Sequence, residues 1–197
     1  MDAQKDFGRP KKKIGRPNVF LDVPPKNGRP TFCLEIQQTF FDVKKMDLEL
    51  PGEHPLWVER STLPNGPTRP PVVLIHGFAQ NRFSWDTKHR SMTAWLADQG
   101  WDVWNLELRG HGRSRRRGGT KATTFSDYPN DLLRLSKAMP HAAFWVGHSL
   151  GASVAYAAVA QQPESPPTRG VIGIGGLYRF GQAGWILPAV SRITRKI

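Results

Sequence analysis

In the stretch "FWVGHSLGASVAY", residues 144–156, an apolar run breaks at a serine held between two glycines and then turns small and helical. Ser149 is the candidate nucleophile, inside the pattern Gly-x-Ser-x-Gly at residues 147–151. A serine hydroxyl attacks a carbonyl when a base takes its proton and donors hold the oxyanion that forms. Position gives the pattern its force, because the serine falls where an expected buried strand meets an expected helix. A turn that sharp holds its central residue in a strained conformation. Side chains two residues to either side would collide, which accounts for Gly147 and Gly151. The start of the helix aims amide N–H groups toward developing negative charge.

A serine placed this way needs a sheet behind it. "VVLIHGF" (72–78) is a continuous β-branched run, the mark of a strand buried on both faces. "SWDTKHRSMTAWLADQG" predicts a helix ending at Gly100, "WDVWNLEL" (101–108) a second strand, and "RGHGRSRRRGGTKATT" a loop. "SDYPNDLLRLSKAM" predicts a helix capped near Ser126 or Asp127, and "AAFWVGH" a third strand. "LGASVAYAAVAQQ" predicts a third helix and "GVIGIGGL" (170–177) a fourth buried strand. Upstream, "FCLEIQQTFFDV" and "LWVERSTL" suggest short strands on either side of the breaker "ELPGEHP". Strands alternating with helices across short links predict right-handed βαβ units and a mostly parallel sheet, the α/β class.

Three blocks, in order, carry a resemblance to the α/β-hydrolase superfamily. "HGF" (76–78) follows the first buried strand, "ELRGHGRS" (107–114) follows the next, and "GHSLG" forms the nucleophile elbow. The second block is similar to the family's D-x-R-G-x-G-x-S turn, with Glu107 in the acidic place. The likeness covers residues 72–177, with the stretch from about residue 31 open to inclusion. It implies an α/β-hydrolase-like, mostly parallel sheet with flanking helices, in which Ser149 is the nucleophile. It also implies that the N–H groups of Phe78 and Leu150 form the oxyanion hole. The implied chemistry is acyl transfer on a small-molecule or lipid ester, of esterase, lipase or thioesterase type. Serine rather than aspartate at the elbow speaks against dehalogenase or epoxide-hydrolase chemistry. No cofactor is implied.

The resemblance also defines what to look for next in the chain, an acid and then a histidine. No histidine follows Ser149, and the only later carboxylate is Glu164, in "QQPESPPT". The expectation is therefore a hydrolase truncated at its C-terminus, lacking its last strands and cap, and weak or inactive alone. His148 adjoins the serine, but neighbours on a turn project in different directions. His76 and His111 belong to loop turns as packing residues, while His54, His89 and His141 read as surface or cap positions. No histidine pair has metal-ligand spacing backed by carboxylates, so no metal is expected.

The net charge of +12 sits in a tail, a loop and a chain end. Residues 1–30 carry eight Lys/Arg against three Asp, residues 109–121 six against none, and residues 179–197 four against none. Residues 1–30 read as a flexible basic arm and 31–197 as the N-terminal part of the hydrolase domain. "GRPKKKIGRP" resembles an AT-hook, whose arginine (Arg9 or Arg16 here) lies in an A·T-rich minor groove. Phe7, Ile14 and Asn27 stand where such hooks carry a basic residue, so the arm is taken as a solvated tail and nucleic acid is not the expected partner. A second reading stays open: a catalytically dead, hydrolase-like binding or scaffold protein tethered to DNA by this arm. The arginine run of "RGHGRSRRR" would suit anionic substrates or lipid headgroups, though a solvated loop explains it as well. A lone cysteine, Cys33, fits a reducing, cytoplasmic setting as a small apolar filler. No uninterrupted apolar stretch of about eighteen residues is present.

Overall fold

The computed structural model describes residues 42–88, 90–118, 124–162 and 168–177. The basic arm, Cys33 and the expected strand "FCLEIQQTFFDV" lie outside the described residues, apart from the last two positions of that strand. His89, Glu164 and the chain end from residue 178 lie outside them too.

Six strands form one sheet: β1 (Lys44–Leu50), β2 (Leu56–Thr62), β3 (Pro71–Ile75), β4 (Asp102–Glu107), β5 (Ala143–His148) and β6 (Thr168–Ile174). Their order is β1-β2-β4-β3-β5-β6. The β1–β2 and β2–β4 pairs are antiparallel, and the three pairs that join β4, β3, β5 and β6 are parallel. The helices are α1 (Met92–Asp98), α2 (Gly112–Arg116), α3 (Asp127–Ala138) and α4 (Leu150–Ala160). This is the α/β class expected from the sequence, with a mostly parallel sheet.

β3 is apolar at every position because both of its faces are covered. Val73 and Ile75 pack with Leu132, Leu135, Val154 and Ala158 from α3 and α4. Val72 and Leu74 pack on the other face with Ala97 of α1 and Trp85. Side chains alternate along a strand, so one residue step changes the covering layer. The chain leaves β3 for α1 on one face and leaves β5 for α4 on the opposite face. The two strands are neighbours, in register with Ile75 beside Gly147. Departures to opposite faces open a crevice at the C-terminal ends of adjacent parallel strands. The serine turn ends up there.

Four local expectations are corrected. The helix expected over "SWDTKHRSMTAWLADQG" is a 3-10 turn at Arg82–Ser84 followed by the short α1. Ser91 donates to Asp86 at 2.5 Å and accepts from the N–H of Ala94, capping α1 and ending any helix upstream. A strand not expected, β1, forms because "KKMDLEL" pairs along its whole length with β2, Lys44 opposite Thr62 through Leu50 opposite Leu56. Within the expected loop, α2 forms, and its arginines are partly engaged: Arg113 pairs with Asp47 and Arg117 with Glu49 of β1. β6 is not a buried strand, since Ile172 and Ile174 are 55% and 44% exposed. Val171 turns toward the α3–α4 layer, so Ile172 and Ile174 face the other side. On that side α1 packs mainly over β2 and β4.

Candidate functional site

Ser149 links β5 to α4 with φ 51° and ψ −115°, a left-handed conformation that a non-glycine residue seldom adopts. Its N–H donates to the carbonyl of Ile174 at 2.8 Å, and its own carbonyl accepts from Ala152 and Ser153. The hydroxyl makes no capping bond to the helix. A β-carbon on Gly147 would lie 2.5 Å from the carbonyl oxygen of Gly151. One on Gly151 would strike the carbonyl of Ile75 and come within 2.7 Å of that of His76. The two glycines thus let the turn close on itself and against the end of β3, the collision inferred from the sequence.

The loop after β3 carries a second strained residue, Ala79, at φ 55°. Ala79 and Ser149 are the two non-glycine residues with positive φ among the described residues, and they lie on neighbouring loops. Phe78 is 75% exposed at this edge. Among the described residues, neither the N–H of Phe78 nor that of Leu150 has an acceptor.

His76 is fully buried. Its Nε2 accepts from the N–H of Leu108 at 3.1 Å, so Nδ1 carries the proton and donates to the carbonyl of Gly77 at 2.8 Å. Burial pushes its pKa down to about 4, against the bond to Gly77, so the ring is neutral. It ties the β3 loop to the end of β4 as packing structure. His111 is bonded through Nδ1 to the carbonyl of Arg109, with its ring 5.1 Å from His76. The ring of His148 stands edge-on to Trp85, its Nδ1 3.1 Å from Oε1 of Gln80. No described histidine hydrogen-bonds to the hydroxyl of Ser149.

The "ELRGHGRS" block is a structural knot below the site. Fully buried Glu107 accepts from the N–H groups of Arg82, at 3.2 Å, and Arg113. Ser114 donates to the carbonyl of Glu107 at 2.6 Å and accepts from the N–H of Trp57 at 2.8 Å. Arg109 makes two bonds to Asp131 of α3, at 2.6 and 2.7 Å.

Gln80, which sequence reasoning passed over, lines a cavity of about 210 Å³ with Ser84, Trp85, His148 and Ile174. Trp85 is buried, whereas Phe83 is half exposed. Among the described residues, no cluster of His, Cys, Asp and Glu is arranged to hold a metal, and no helix is long and apolar enough to cross a membrane.

A sequence profile described as the alpha/beta hydrolase family matches residues 72–196. Epoxide hydrolase B of Mycobacterium tuberculosis is 35% identical over 106 residues, 53% of this chain and 28% of its own length. The pimeloyl-[acyl-carrier protein] methyl ester esterase of Methylococcus capsulatus is 31% identical over 126 residues, 64% of this chain and 44% of its own length. A structure from a study of Nitrososphaera gargenis carboxylesterases superimposes with TM-score 0.53 at 26% identity, over 68% of this chain and 46% of that one. The chain spans less than half the length of the curated relatives named here.

Proposed function

Since this chain belongs to the alpha/beta hydrolase family, we propose that it is a serine hydrolase of carboxylic ester-like substrates working through an acyl-enzyme on Ser149. The observation that carries the reading is the strained turn at Ser149, with the unclaimed N–H of Leu150 beside it. Ser149 Oγ adds to the ester carbonyl carbon while a base takes the hydroxyl proton. The N–H groups of Leu150 and Phe78 hold the oxyanion. The intermediate collapses, the C–O bond to the leaving alcohol breaks, and that alkoxide takes up a proton. Water then adds to the acyl-enzyme and releases the acid. Each oxyanion donor is worth about 2.7–4 kcal/mol of barrier.

The relatives leave a choice between ester and epoxide, and the residue type at the elbow favours one of them. Opening an epoxide with a carboxylate gives an ester that water can cleave. Opening it with a serine hydroxyl gives an ether, which water does not cleave. A serine at position 149 therefore favours the ester, as in the Methylococcus relative. The proposed substrate is a small-molecule or lipid ester. A cytoplasmic setting belongs to the same proposal and rests on the single cysteine.

One observation favours a second reading: no described histidine reaches the hydroxyl of Ser149. A serine without its base keeps only about 10³–10⁴ of rate over water, from binding and the oxyanion hole. In that reading the chain is a weak or inactive hydrolase-like binding protein. A fluorophosphonate probe separates the two. Under the first reading it labels the chain and fails to label Ser149→Ala. Labelling that persists in Ser149→Ala removes Ser149 as nucleophile. A folded chain that binds esters yet never labels selects the binding protein.

A further inference from the structure

Gln80 extends from the loop after β3 toward the turn after β5. Its amide oxygen lies 2.9 Å from the N of Gly77, 3.1 Å from Oγ of Ser84 and 3.1 Å from Nδ1 of His148. A backbone N–H can only donate, so the group facing Gly77 is the oxygen and not the amide nitrogen. The same oxygen faces His148, which must therefore carry its proton on Nδ1 to make that bond. One acceptor thus gathers donors from its own loop and from the residue next to Ser149.

The glycine at 77 fits this arrangement. A β-carbon there would stand 2.8 Å from the Gln80 oxygen and 3.2 Å from Nδ1 of His148. The side chains of Gln80 and His148 close over the bare backbone of Gly77, immediately before Phe78. The loops joined in this way hold the strained residues Ala79 and Ser149. Strained backbone persists only where its surroundings over-determine it.

We propose that Gln80 is a positioning residue that locks the oxyanion loop to the nucleophile turn through His148. The inference rests on the ester-hydrolase reading for its consequence in rate, but not for the coupling itself. The two N–H groups of the proposed oxyanion hole come here from the loop after β3 and from the start of α4. Their spacing is set by whatever holds loop to loop, and Gln80 spans that gap. His148 becomes the receiving end of the lock.

The test compares the full chain with Gln80→Met, similar in shape but a poor acceptor, and Gln80→Glu, whose carboxylate oxygen still accepts. Backbone amide resonances of Gly77 and Phe78 report one loop, and those of Ser149 and Leu150 the other. Fluorophosphonate labelling reports the assembled site. Gln80→Met should move both sets of amides and slow labelling by about 10-fold or more, approaching the loss from a missing oxyanion donor. Gln80→Glu should keep the Ser149 and Leu150 resonances in place and restore most of the labelling rate. Should Gln80→Met move only Gly77 and Phe78, the two loops are not coupled and the proposal falls. It falls equally if labelling is unaltered while the amides move. A wild-type chain that never labels counts against the serine reading, and the amides alone then decide the lock. If Gln80→Met does not fold, His148→Phe keeps a ring beside Trp85 and deletes the donor. Unmoved Gly77 and Phe78 resonances in that variant overturn the proposal.

Discussion

His76 is buried as a neutral ring, with both nitrogens committed to backbone groups. Its folded pKa of about 4 lies below the unfolded value of 6.5. The unfolded chain therefore binds the extra proton first as pH falls. The stability tied to neutral His76 is fully present above pH 6.5 and is lost as pH drops to about 4. Across that window about 3 kcal/mol should disappear, from roughly 1.36 kcal/mol per pKa unit. Urea denaturation at pH 7 and at pH 4.5 measures it. His76→Gln, which cannot titrate, should lose markedly less between the two conditions, and an equal loss would remove His76 as the cause. At this scale the sequence showed the serine and its glycines, because a local pattern encodes a local turn. Gln80 was not legible, since its partner His148 is 68 positions away. Nor does an alanine announce a positive φ, so the strain at Ala79 was invisible too.

Elements with both faces covered were the most legible. The run that became β3 is apolar throughout and those that became β4 and β5 are largely apolar, because helices cover the sheet on both sides, and their limits moved by only a few residues. β1 was missed because its alternation is half polar and its partner supplies the reason for it to be a strand. The long expected helix failed where Asp86 and Ser91 bonded to each other and stopped it. Element packing carries its own prediction at the contact between the "ELRGHGRS" turn and α3. Asp131→Ala leaves the Arg109 guanidinium, whose side chain is 11% exposed, with the more distant Asp127 at 3.7 Å as its ion-pair partner among the described residues. Removing one partner of a buried pair costs about 3–5 kcal/mol, and the lower end is expected with Asp127 nearby. Thermal or urea unfolding of Asp131→Ala reads this directly. The α2 pairs with β1, Arg113–Asp47 and Arg117–Glu49, lie nearer solvent and should contribute at most about 1 kcal/mol each.

Over the whole molecule, the excess positive charge says less about function than the distribution of apolar surface does. Two of the loop arginines are held by acidic residues of β1, so the +12 total does not translate into an open basic face there. The sheet edge at β6 is different. Ile172 and Ile174 are exposed on the face opposite the α3–α4 layer, on a strand whose one described partner is β5. Such edges promote association. The chain should associate with rising concentration, and Ile172→Lys with Ile174→Lys should shift it toward monomer in sedimentation velocity. Unchanged association in the double variant would locate the sticky surface elsewhere.

The register of Ile75 beside Gly147 also governs when the site comes into being. β1 and β2 pair across a short turn, a contact that closes early and at low entropic cost. β3 must wait for β5, some seventy residues further along the chain, with β4 and α3 between them. Closing that span precedes any reward from the contacts it allows. The strained turn at Ser149 relies on Ile75 and Gly147 already lying together, so the candidate site is assembled late in folding. A chain still emerging from the ribosome would display its apolar strands well before it owned the strained turn at Ser149.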